Sequence, residues 1–181
     1  MDERKRELLN RLEAFFKDDE DTEEVSLFTK EELNAPMDVL RLLITDYGPG
    51  LMDVLVEFSF LPLNETEVLF FSTVITIKMN VPKDGVSALS GAIARLNFYL
   101  PYGAFALSSD GSMLIYKSVV PLRSDKSDDE LYETMELSAD NSILVPESYT
   151  DLLVQVSEGR MLLNEFIGSL PAMETDEEAD S

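Results

Sequence analysis

The chain has 181 residues, 36 acidic and 14 basic, for a formal net charge of −22, and it contains no His, no Cys and no Trp. The missing residue types exclude Ser-His-Asp and Cys-His nucleophile pairs, zinc sites of the usual nitrogen and sulfur kind, iron–sulfur clusters, His- or Cys-ligated haem and thiol redox chemistry. The charge argues against nucleic acid and anionic membrane surfaces, which are bound through Lys and Arg. Carboxylate pairs, Lys, Tyr, Ser with Lys, and a carboxylate-bound Mg²⁺ or Ca²⁺ stay open. A hydrophobic content of 45% fits a folded domain. A chain this long can bury roughly 70% of its unfolded surface without disulfide or metal staples. The start, MDERKRELLN, lacks the apolar centre of a secretory signal, and no run of ~18 apolar residues offers a membrane span. The expected location is therefore the cytoplasm.

Residues 2–17 read as an amphipathic helix. Leu8, Leu9, Leu12, Phe15 and Phe16 form one stripe, and Glu7–Arg11 and Glu13–Lys17 are i,i+4 pairs with the acid first. Residues 18–24, DDEDTEE, hold six acids in seven positions and are expected to be a solvated linker. Thr29 to Glu32 fits a capping box for one short helical turn, with Pro36 ending it soon afterwards.

Three strands are expected next, at about 38–46, 52–61 and 67–79. In the second, Val54, Val56, Phe58 and Phe60 alternate with Asp53, Glu57 and Ser59. The third is apolar on both faces, with Leu69, Phe71, Ile75 and Ile77 on one and Val68, Phe70 and Val74 on the other, as in a central strand. Short connections make these strands antiparallel neighbours.

Pro82 and Gly85 open a helix of about 84–98 with an inner stripe of Val86, Leu89, Ile93 and Leu96. Asn97 is read as a left-handed cap at its end. A hairpin, 103–108 and 112–122, turns through Ser109-Asp110-Gly111. Ser127 to Glu130 is a second capping box, opening a helix near 128–139. Pro146 suits the first turn of a last helix, about 146–167, which Gly159 bends or interrupts and Gly168 and Pro171 end. The final nine residues, METDEEADS, carry five acids and no base, the composition of a disordered tail.

This order places the chain in the α+β class, as a two-layer sandwich with an antiparallel sheet of about five strands, α-β-β-β-α-β-β-α(α). A single domain is expected over 1–171, with the acidic linker at 18–24 inside it and a tail over 172–181.

Within residues 88–122, ALSGAIARLNFYLPYGAFALSSDGSMLIYKSVVPL, five features stand in a familiar order. They are Leu96-Asn97 at a helix end, Gly103 before a short strand, Asp110-Gly111 in a hairpin turn, Tyr116 in the longer strand and, just beyond, the 127–130 box. This stretch resembles the YbjN-like bacterial family. The resemblance implies a fold similar to that of type III secretion chaperones, which are small and acidic, often dimeric, and bind segments of other proteins. YbjN-like proteins have suggested regulatory or stress roles. The resemblance brings no catalytic residues, and the long region from Ser127 to Pro146 departs from a simple single final helix.

Other chemistry competes poorly with plainer readings. Residues 125–136, DKSDDELYETME, put oxygen-bearing side chains at positions 1, 3, 5, 9 and 12 of an EF-hand-like loop, but Glu130 stands where the turn needs Gly. The capping box explains the same residues. The 18–24 run offers only a loose divalent-cation site. Asp53 and Glu57 share a strand face in the manner of a glycosidase pair, or of an ordinary solvent-facing surface. Phosphate-loop and dinucleotide-binding glycine motifs are absent from the sequence. No cofactor, metal or catalytic residue is assigned.

The most informative feature is a sheet apolar on both sides. Leu40, Leu42 and Ile44 oppose Val39 and Leu43, while Met113, Ile115 and Val119 oppose Leu114, Tyr116 and Val120. Helices on one side leave the second set exposed, unless the C-terminal helix or the 18–37 segment covers it. The expected partner-binding residues are Val68, Phe70, Val74, Leu114, Tyr116 and Val120. The expected function is a non-enzymatic protein-binding module, chaperone-like or regulatory. Its partners are an unidentified protein and a second copy in a homodimer, with no nucleic acid and no membrane. The alternatives are an acidic mimic or regulator of a nucleic-acid-binding protein, and a carboxylate- or metal-dependent enzyme.

Overall fold

A computed structural model describes residues 2–18, 22–63 and 67–170. Residues 19–21 of the expected linker and the expected tail at 172–181 lie outside the described residues. In chain order the elements are α1 (Asp2–Lys17), β1 (Thr22–Phe28), α2 (Lys30–Leu33), β2 (Val39–Tyr47), β3 (Met52–Phe60), β4 (Val68–Met79), α3 (Val86–Leu96), β5 (Ala104–Leu107), β6 (Met113–Arg123), α4 (Asp128–Ser157) and α5 (Leu163–Ser169). The six strands form one antiparallel sheet in the order β1-β2-β3-β4-β6-β5. The class is α+β, and β4, apolar on both faces, is an interior strand as its composition requires. Among the described residues no helix is long and apolar enough to cross a membrane.

The core forms where α1, α3 and α4 meet one face of the sheet. Leu8, Leu9, Leu12 and Phe16 of α1 are buried, and the Phe16 ring stacks on Phe58 of β3, which stacks in turn on Phe71 of β4. The helices are tied to one another by charge. Arg4 of α1 donates to Asp128 Oδ1 at 2.6 Å and to the Ser124 and Lys126 carbonyls at 2.7 and 2.5 Å. The Glu13–Lys17 pair forms at 3.0 Å, whereas Arg11 pairs with Asp129 at 3.0 Å and lies over the Tyr132 ring.

Three expectations are corrected. Residues 22–24 are not linker but the start of β1, an edge strand whose Val25 and Leu27 pair with Leu42 and Leu40. An edge tolerates acids because Glu23 and Glu24 stay exposed there. Further along β1, the Leu27 N–H is taken by the Glu13 carboxylate at 3.1 Å. Pro146 does not open a helix; it sits inside α4, one helix of 30 residues. Proline there leaves the Ser142 carbonyl without its usual donor. The same helix face carries hydroxyls that bond the carbonyl four residues earlier, Thr134 to Glu130, Ser138 to Thr134 and Ser142 to Ser138. Ser142 Oγ also lies 2.7 Å from Ser118 Oγ on β6, so small side chains let α4 settle close to the sheet. The real interruption follows Ser157, where Gly159 adopts φ +68 before α5 begins.

Asn97 is the third correction. Its φ is −59, so it is not a left-handed cap. Its side-chain amide donates to the Phe105 carbonyl at 2.9 Å, and its Oδ1 accepts the Phe105 N–H at 2.8 Å. The residue thereby clamps the outer edge of β5 to the end of α3. The left-handed position is Gly103 at φ +63, where a Cβ would lie 2.1 Å from Tyr116 Oη. That hydroxyl donates to the Tyr102 carbonyl at 2.7 Å.

Candidate functional site

Cross-strand partners in an antiparallel sheet point to the same side, so the register sorts every strand residue onto one of two faces. On the helix side stand Leu40, Val56, Ile75, Tyr116 and Phe105, linked in part through the pairs Val56↔Ile75, Ile75↔Tyr116 and Phe105↔Tyr116. Helix α1 reaches this side through Phe16 on Phe58, and α4 through Ser142 on Ser118, while α3 and α5 pack against α4. The opposite side is an open face, on which no helix packs among the described residues.

Three rows of side chains cross this open face. One runs Arg41–Glu57–Val74–Lys117–Ala104, the next Leu43–Leu55–Thr76–Ile115–Ala106, and the third Val39–Ser59–Ser72–Val119. Phe70 beside Pro121 and Val68 beside Arg123 extend the face toward one end. Leu55 and Val119 are 36% and 38% exposed, while Ser59 and Ser72 lie low between larger neighbours. The Val39–Val119 row is therefore a shallow depression floored by two serines.

The expected binding set splits across both faces. Val68, Phe70 and Val74 stand on the open face, each half-buried. Leu114 and Tyr116 are 0% exposed and belong to the core, and Val120, opposite Phe71, packs against it. For these three the expected surface position is corrected. The open-face residues of β6 are Met113, Ile115 and Val119. The missed signal was the parity of the strand's charged groups, since Lys117 and Arg123 alternate with the same set as Ile115.

The charge of the open face is balanced. Arg41, Lys117 and Arg123 stand against Glu24, Asp53 and Glu57, on a chain of net charge −22. Arg41 Nε donates to Glu57 Oε1 at 2.8 Å, and the guanidinium lies 5.3 Å from the Phe28 ring centre. Lys117 is exposed and has no ion-pair partner among the described residues. Glu57 is thus engaged by a cation, and its pairing with Asp53 as an acid–base couple finds no support in this geometry.

The other acidic motifs serve local structure. Glu130 accepts from Lys126, from the Ser127 N–H and from Ser127 Oγ, which hold its carboxyl down to about 2. This is the helix start that the EF-hand-like pattern overlaps. Asp110 receives Ser108 Oγ, the Ser112 N–H and Ser112 Oγ in the hairpin turn, and it too is held down to about 2. Burial pushes the Tyr47 and Tyr116 hydroxyls well above their ordinary range, and each donates to a backbone carbonyl, Tyr47 to Ile143 and Tyr116 to Tyr102. Among the described residues no group of three or more Asp or Glu is arranged to hold a metal ion. A cavity of about 300 Å³ between α1, β2 and α4 is lined by Phe16, Ile44, Tyr47 and Ile143 together with Asp46, Asp140 and Glu147.

No family model matches the chain, and no curated protein does.

Proposed function

We infer that this chain is a non-catalytic protein-binding module, chaperone-like or regulatory, working in the cytoplasm and docking a partner protein on the open face of its sheet. A YbjN-like relationship with a secretion-chaperone-like fold is part of the same reading, which a helical layer on one side of an antiparallel sheet suits. One observation carries it: a six-stranded sheet presents a face on which Leu55, Ile115 and Val119 stand among charged and hydroxyl side chains and which no described helix covers. Apolar side chains grouped on a protein surface often mark an interaction site. The acidic character of the body keeps other proteins from adhering indiscriminately, while the balanced face admits one partner.

The test is a photo-crosslinking side chain at Ile115, in the cells that make the protein, with Leu137 as control. Leu137 lies on α4 and is 64% exposed. Adducts to a protein chain are expected from position 115 and not from 137. Equal yields at both positions, or none at 115, would overturn the reading.

A further inference from the structure

We propose that the occupant of the open face is a second copy of this chain, packed sheet on sheet across a two-fold axis that runs along β4. The proposal rests on the docking-face reading above and names its partner. Rotation about an axis along β4 leaves each row at its own height and exchanges the strands on either side. β3 of one copy then lies over β6 of the other, and β2 over β5.

In two of its three rows the face is its own complement under that rotation, while in the third Ser72 meets Ser72 on the axis and Ser59 meets Val119. Glu57 and Lys117 flank Val74 in one row, so each Glu57 meets the other copy's Lys117, and Val74 meets Val74 on the axis. Lys117 gains an anion that no described residue of its own chain supplies. In the next row Leu55 meets Ile115. At the margin the large side chains Arg41 and Leu43 fall opposite Ala104 and Ala106, the small residues of β5. Large therefore meets small, and cation meets anion, without any residue changing place.

The area suits a reversible dimer. β3, β4 and β6 overlap over nine residues, about 14 Å by 30 Å, while β2 overlaps β5 only over the four residues of β5, about 13 Å. The sum, roughly 560 Å² per partner, lies below the ~800 Å² of a standard stable interface and in the range of weak, reversible association. Charge makes the distinction from a basic partner sharp. The face is balanced while each body carries −22, so two copies repel at long range and attract only at contact. Salt screens the long-range term first. Self-association therefore strengthens as salt rises, whereas docking of a basic protein weakens.

The experiment is sedimentation equilibrium of the purified full chain at low and high NaCl. A dimer is expected, with a dissociation constant at least several-fold lower at high salt. Lys117→Glu and Glu57→Lys each place like charges together and are expected to weaken the dimer tenfold or more. Mixed in equal amounts, the two variants regain dimer, because each repulsive pair becomes attractive in the heterodimer. Ile115→Glu, which leaves Arg41 paired, is the independent check: it loses the dimer and keeps the wild-type circular dichroism spectrum, while its melt no longer depends on protein concentration. A wild-type monomer at both salts, a dimer indifferent to Lys117→Glu and Ile115→Glu, or a dimer that weakens as salt rises overturns the proposal. A purified monomer whose position-115 adduct is a different protein rejects the second copy and keeps the docking face. Absence of any position-115 adduct rejects both.

Discussion

Replacing Asn97 by Ala removes both hydrogen bonds that tie α3 to β5, at 2.9 and 2.8 Å. β5 has only four residues and pairs on one side, with β6, so its outer N–H and C=O at Phe105 have no strand to receive them. A typical intramolecular hydrogen bond contributes about 1 kcal/mol net, and the pair together about 2 kcal/mol. With a urea m-value near 2 kcal/mol/M for a chain of this size, the unfolding midpoint falls by about 1 M at unchanged m. The melting temperature falls by about 4–8 °C. Asn97→Asp keeps the acceptor for the Phe105 N–H but sets a carboxylate against the Phe105 carbonyl, so it loses at least as much. Urea melts followed by circular dichroism measure the energy, and exchange of the Phe105 amide with deuterium reads the bond itself. A change below about 0.3 kcal/mol, with Phe105 still protected, would show that the clamp contributes nothing and that β5 is held by its side chains alone.

Other outcomes follow from local geometry. Gly103→Ala forces a Cβ onto Tyr116 Oη in a left-handed backbone; it is expected to cost 2 kcal/mol or more, on the order of other strained-backbone and overpacking changes, checked by the same melt. Ser127→Ala breaks the α4 capping box and should cost about 1 kcal/mol, with an unchanged m-value. Stability falls as pH drops from about 4 toward 2, because Glu130 and Asp110 hold folded-state values near 2, below their ordinary carboxylate range near 4. Glu130→Gln keeps an acceptor for the cap but cannot titrate, so its melts across that window should slope less than the wild type's; identical slopes would place the acid sensitivity elsewhere.

What the sequence revealed depended on how local its cause was. The strands β2, β3 and β4 were readable because alternation follows directly from a pleated backbone, and both capping boxes because Thr29 with Glu32 and Ser127 with Glu130 satisfy each other within four residues. β1 was hidden because an edge strand needs only Val25 and Leu27 inward, and acids on its other positions look like linker. The position of Pro146 depended on a stripe of Ser and Thr that only matters against Ser118, a partner 24 residues from Ser142. The two faces of β6 were visible as two alternating sets. Which set meets the helices is decided by pairing with β4, where Val120 falls opposite Phe71. Half of the expected site was therefore placed on the wrong side by a choice of parity. The function of Asn97 was similarly nonlocal, since its partner lies across a loop on another element.

The grip of Arg4 on residues 124–128 bears on how the chain is made. Those contacts join positions 120–124 residues apart. A ribosome working at roughly 5–20 residues per second needs on the order of 6–25 s to deliver them after Arg4 has been translated. For that interval the amino-terminal helix, with Leu8, Leu9, Leu12 and Phe16 on one side, has no final anchor at its first turn. A helix made before the sheet is thus among the last to be secured at its first turn, although its apolar stripe can already settle on β3 through Phe16 and Phe58.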